Sequence, residues 1–311
     1  MTIRSIFLSD KGLRLLWNII LYLVIVVVFT AAFAAPVVAV LSLLDLSPQI
    51  GKAVTGWRSI IGSVITLVIG YAGFILGNHL AQKWLNKSNL KGIGLRTGTR
   101  SVKLLILGVI LGGLIVGVAV SIDALFGWYT FTGFAWQFRP ADLVLATLVL
   151  ILFTKIQSAL VEEVIFRGYL LELIADRFNL KAAVISTSIL FGLSHLTSLA
   201  DEFPWWAAIL STLLAGLVFA QAYVLYRNLF LPVGIHYGWV LFGRLLNDTG
   251  GPAGKSVFLA SSVSGPSLVT PPPGGGASLF ELVGVGIVAL ILWRMSKVKS
   301  GLARPDTSLA P

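Results

Sequence analysis

The chain has no cysteine among its 311 residues, which excludes disulfide bonds, thiolate metal ligands and a cysteine nucleophile. Charge is nearly as scarce. Only 12% of the residues are Asp, Glu, Lys or Arg, against 57% hydrophobic ones, whereas soluble domains carry about 25% charged residues to cover their surface. A chain this poor in charge has no aqueous surface to present, so the bilayer must be its solvent. Acids are the rarer sign, 13 against 23 Lys and Arg, for a net charge of +10. The basic residues flank apolar runs, where retained positive charge orients membrane proteins, and no nucleic-acid partner is expected on that ground. Histidine occurs only three times, so the position of each one is informative.

What the chain does have is a succession of apolar runs separated by short polar gaps. Their spacing predicts helices at roughly 13–44, 57–84, 103–124, 142–176, 182–199, 206–226, 230–247 and 279–296. These runs far exceed the segments of about 10 residues used by outer-membrane barrels. The expected fold is therefore all-α, a polytopic transmembrane helical bundle of about eight spans in a single membrane domain over 1–311. The first run, Leu13 to Leu44, is too long for a signal-peptide core of about 7 to 15 residues and reads as a span. A Pro/Gly-rich outer loop is expected over 248–278, with Pro271, Pro272 and Pro273 excluding helix from Ser264 to Ser278, and a polar C-terminal tail over 297–311. Trp128, Tyr129, Phe131 and Trp136 suit an interfacial aromatic belt.

Orientation follows from the loops. Lys87, Lys91, Arg96 and Arg100 lie between the second and third runs with no acid among them, so this loop should be cytoplasmic. Alternation from there puts the N-terminus (Arg4, Lys11, Arg14) and the C-terminus (Arg294, Lys297, Lys299, Arg304) inside too, and Asp201 and Glu202 outside. The chain is expected in a cell membrane, multi-pass, with both termini cytoplasmic.

Against this background the fourth run is anomalous, because it contains Glu162, Glu163 and Arg167. Each such charge costs about 2.5 to 3.5 kcal/mol at a helix centre, so the three must have partners or a wet cavity. Glu163 and Arg167 stand four residues apart on one face and should pair. Glu162 points about 100° away and is left for another task. Two of the histidines also fall in apolar runs, His195 in the fifth and His236 early in the seventh. Antiparallel packing would bring both to the height of Glu162. A carboxylate and two imidazoles around water can deprotonate it and stabilise the oxyanion that its attack creates. The same three groups would match a catalytic zinc shell, but no His-Glu-x-x-His helix is present, and no cofactor is expected. Ser158, Ser194 and Ser211 lack a nucleophile context, His79 reads as an interfacial residue, and Gly108, Gly112, Gly113 and Gly117 read as helix packing. A buried polar clamp is the purely structural reading of the charges. A proton-coupled transporter would also tolerate them but should show repeats and broken helices, which are not evident.

Glu162-Glu163-x-x-x-Arg167, then Phe191-x-x-x-His195, then His236 in a later run, resembles the ordered motifs of the CAAX protease and bacteriocin-processing (Abi) family of glutamate-dependent intramembrane proteases. The similarity covers about residues 140–247, and Gly94-Leu95-Arg96 resembles the family's lead-in. The resemblance implies that Glu162 activates water with help from His195, that Glu163 and Arg167 hold the site, and that His236 stabilises the oxyanion. It also implies a membrane-associated protein or peptide as substrate. One departure stands out. The family's last motif usually carries Asn four residues after the histidine, and this chain has Val240. Loss of one oxyanion donor typically costs about 100- to 1,000-fold in turnover. Asn247 lies about 16 Å further along the helix and cannot replace it simply. Tyr237, Trp239 and backbone amides are the candidate substitutes, and a lapsed protease serving as a binding protein is the alternative.

Overall fold

The computed structural model describes residues 8–9, 12–13, 15–48, 56–196, 205–246, 257–266, 269 and 279–302. Asp201, Glu202, Asn247, Pro271 to Pro273, Arg4, Lys11, Arg14 and Arg304 lie outside the described residues. The described residues contain eight helices: α1 Leu15–Leu43, α2 Trp57–Leu85, α3 Thr99–Leu125, α4 Ala141–Arg177, α5 Leu180–Ser194, α6 Trp205–Tyr226, α7 Phe230–Leu246 and α8 Glu281–Leu302. Each matches one expected run. The protein is an all-α, multi-pass membrane bundle.

Five helices, α1 to α4 and residues 209–226 of α6, are long and apolar enough to cross a membrane. The expected count of about eight spans is larger because it counted every apolar run as a crossing. At 15 and 17 residues, α5 and α7 fall short of the roughly 20 that a full crossing needs. On the outside of the bundle, Val27 and Val28 of α1 and Ile106 and Ile110 of α3 are more than half exposed, which suits a lipid-facing surface. Where hydroxyl groups occur in apolar helices, they bond back one turn: Thr30 to Val26 O, Thr66 to Gly62 O and Thr147 to Leu143 O. This satisfies polar groups that lipid cannot.

The closest packing is between α3 and α7. Gly108 and Gly112 face Gly234 and Gly238, and a β-carbon on Gly112 or Gly238 would run into the backbone of the opposite helix. Small residues four apart permit this backbone contact and hold membrane helices together. The third run was expected to use all four of its glycines in this way. Gly113 instead meets the Phe242 ring, and Gly117 has nothing near it.

One end of the bundle gathers most of the described basic groups. Leu229 N donates to Gly94 O, Asn228 Nδ2 to Ser101 Oγ, Asn18 Nδ2 to Asn86 Oδ1 and Lys299 Nζ to Leu225 O. The loop bearing Lys87 to Arg96 therefore shares its end with the C-terminal part of α8. At the other end, β3 (Tyr129–Phe134) pairs antiparallel with β4 (Leu259–Val263). Two further short strands, β1 (Leu8–Ser9) and β2 (Gly12–Leu13), pair near the N-terminus. The β3–β4 ladder corrects the expectation of two separate loops. Its β-branched and aromatic residues suit a pleated surface, and Phe134 stacks on Trp136 at 4.5 Å. Trp136 and Phe131 are about half exposed, as residues of an aromatic belt are.

Candidate active site

Four helices place the site. α4 carries Glu162, Glu163 and Arg167; His195 caps the C-terminus of α5; α6 supplies Gly216 and Phe219; and α7 carries His236. The α-helical geometry of α4 is interrupted after Glu163: Val164–Leu170 forms a π-helical turn in which Leu171 N donates to Phe166 O five residues back, and α-helix resumes over Leu171–Arg177. Such a turn widens the helix locally and recurs at functional sites. No sequence pattern announced it.

Glu163 and Arg167 are fully buried, and Arg167 Nη1 donates to Glu163 Oε1 at 2.9 Å. The same oxygen lies 3.1 Å from His236 Nδ1. Arg167 Nη2 donates to Gly216 O at 3.1 Å, and the guanidinium lies 4.4 Å from the Phe191 ring centroid and 5.1 Å from that of Phe219. His236 stacks nearly parallel on Phe219 at 4.9 Å. The expected Glu163–Arg167 pair is present, and it has a third member, since Glu163 also holds His236. Phe219 and Gly216 were not foreseen, because their role depends on the packing of α6 against α4.

Glu162 turns the other way, as the 100° step requires. Its side chain is 26% exposed, with Oε2 3.6 Å from His195 Nε2 and 3.8 Å from His236 Nε2. These spacings are too long for direct hydrogen bonds. Oε2 is buried and has no hydrogen-bond partner among the described residues, whereas Oε1 accepts from Ser158 Oγ at 2.9 Å. Ser158, one turn before Glu162, therefore positions the carboxylate. That role was legible from the four-residue spacing but was passed over. His195 Nδ1 lies 2.9 Å from Phe191 O. A carbonyl only accepts, so Nδ1 carries the proton and Nε2 turns toward Glu162. All five expected site residues, Glu162, Glu163, Arg167, His195 and His236, thus belong to one constellation.

Residues 143–242 match the family model of Type II CAAX prenyl endopeptidase Rce1-like. This segment is similar to the core of a CAAX-protease family. It spans about a third of the chain and contains the whole constellation. No curated protein matches the chain significantly. Elsewhere in the family-like core, Ser194 Oγ donates to Phe191 O and Ser211 is buried. His79, on α2, is exposed.

Two of the candidate oxyanion donors can be weighed by their surroundings. Trp239 Nε1 donates to Glu281 Oε2 at 2.6 Å, which commits it elsewhere. Tyr237 packs against the hydrophobic cluster that contains Tyr169 and Val164. Among the described residues, no group of three or more His, Asp or Glu is arranged to hold a metal ion.

Proposed function

We propose that the protein is an intramembrane endopeptidase in which Glu162 activates water for attack on a peptide bond of a membrane-associated protein or peptide. The observation that carries this reading is the spacing around Glu162 Oε2, which faces two imidazole nitrogens at 3.6 and 3.8 Å. A water between them would hydrogen-bond to the carboxylate and to His195 Nε2 together. Glu162 takes its proton as the oxygen adds to the scissile carbonyl, and then returns that proton to the leaving amine. His236, held by Glu163 through Nδ1, would turn Nε2 toward the place where the oxyanion forms. Glu163 and Arg167 hold these groups in place. The basic loop of Lys87 to Arg100 and both termini belong on the cytoplasmic side. The family name makes prenylated CAAX sequences the first substrates to try.

Val240 favours a second reading, in which the clamp survives for structure and the protein binds membrane peptides without cutting them. Turnover of farnesylated CAAX-type peptides by detergent-purified wild type, Glu162→Gln and Val240→Asn, each with and without a chelator, separates the two. Cleavage that is lost in Glu162→Gln and survives chelation supports the metal-free protease. Cleavage abolished by the chelator points to zinc, and cleavage seen only in Val240→Asn points to the binding protein.

A further inference from the structure

Outside the helices that carry Glu162 and the two histidines, a groove of about 730 Å³ runs between the first turn of α3, the end of α6 and the later turns of α8. On α8, Leu290, Ile291, Met295 and Val298 give it an apolar wall, with Arg294 and Lys299 at the edge of that wall. Arg100 of α3 and Tyr226 of α6 close the other side. Leu290 and Val298 are more than half exposed, so the groove opens on the outside of the bundle, where the membrane lies.

Its two ends differ in chemistry. Leu290 to Lys299 is a step of nine residues, about 14 Å along a helix, close to the roughly 15 Å of hydrocarbon in one leaflet of a core about 30 Å thick. The basic end is the end of the bundle that carries the loop of Lys87 to Arg96. There Arg100 and Lys299 both approach the Tyr226 ring, 5.4 and 5.1 Å from its centroid, and Lys299 Nζ donates to Leu225 O. A ring face and a carbonyl oxygen orient a cation without neutralising it. No acidic residue lines the groove, and among the described residues none of Arg100, Arg294 and Lys299 has an acidic ion-pair partner.

We propose that this groove binds one anionic phospholipid of the adjoining leaflet, with an acyl chain along Leu290 to Val298 and the phosphate between Arg100 and Lys299. A soluble anion would leave the apolar wall uncovered. A zwitterionic lipid would bring a positive group to a place that already holds three. Basic pockets between membrane helices at the interface suit anionic headgroups for this reason. The bound lipid touches α3, α6 and α8 together and ties the last helix to the bundle. The proposal is independent of the protease reading.

The test uses the detergent-purified full chain, delipidated and titrated with dioleoylphosphatidylglycerol or dioleoylphosphatidylcholine, with bound lipid counted by native mass spectrometry. Glycerol 3-phosphate serves as a headgroup without chains. The proteins are wild type, Arg100→Gln with Lys299→Gln, the charge-matched control Lys87→Gln with Lys91→Gln, and Leu290→Trp, which fills the groove without changing its charge. Thermal melts check folding. Wild type is expected to hold one phosphatidylglycerol at least about tenfold more tightly than phosphatidylcholine, and to gain Tm with it. Loss of Arg100 and Lys299 should weaken that binding by about ten- to thirtyfold, at roughly fivefold for each charge near a membrane surface, while the control keeps it. Leu290→Trp should also weaken it, and decides the matter if the double variant does not fold. Equal retention of the two lipids by wild type, an equal loss in the Lys87 and Lys91 control, full retention by Leu290→Trp, or displacement of the lipid by glycerol 3-phosphate at matching concentration overturns the site.

Discussion

Glu162 and Glu163 are joined by one peptide bond, yet they belong to two different regions of the site. Glu163 is sealed among Arg167, His236 and the rings of Phe191 and Phe219, with no exposed surface. Glu162 faces a polar gap with Ser158 behind it and two imidazoles ahead. A single 100° step around a helix separates a carboxylate that holds helices together from one that is left for chemistry. A buried ion pair is poor value for stability, because desolvation offsets its attraction, but breaking it is costly once it is built. The sealed half is therefore expected to govern folding, and the open half turnover.

Arg167→Met should break the comparison most severely. It takes the guanidinium away from the buried Glu163 carboxyl and leaves only His236 beside it among the described residues, at a cost of about 3 to 5 kcal/mol. The expected readout is a large drop in Tm in detergent, or no folded protein. Glu162→Gln should do the reverse. A general base contributes about 100- to 10,000-fold, so peptide turnover should fall by that much while Tm stays near wild type. If its Tm falls as far as that of Arg167→Met, the division into holding and reacting halves is wrong. Gly238→Val tests whether the height of His236 depends on the α3–α7 backbone contact. Overpacking typically costs about 1 to 3 kcal/mol, and turnover should fall with Tm rather than independently of it. Ser158→Ala removes one hydrogen bond from Glu162 and should lower kcat only several-fold, since a neutral hydrogen bond is worth about 0.5 to 1.5 kcal/mol. Measuring it at saturating peptide separates a positioning role from one in binding.

The apolar runs made all eight helices legible within a few residues, since in lipid a helix must satisfy its own backbone and can do so only over a long apolar stretch. The Glu163–Arg167 pair was legible for the same local reason, a four-residue spacing. The pairing of β3 with β4 was not, because the two strands lie far apart in the sequence and are joined by no local turn. Five of the described helices are long and apolar enough to cross a membrane, and a list of apolar runs alone does not separate these from a shorter apolar helix such as α5.

By itself the sequence determined the membrane as solvent, the helical class, and the five ionisable residues that do not belong in lipid, because each follows from composition or from spacing within one helix. Only the tertiary structure decided that Glu163 holds His236 as well as Arg167, that Arg167 reaches Gly216 O, and that His195 and His236 both come to Glu162 Oε2. Those facts depend on how far one helix slides and turns against another. Close contacts such as that between Gly112 and Gly238 set that distance, and no single helix contains it.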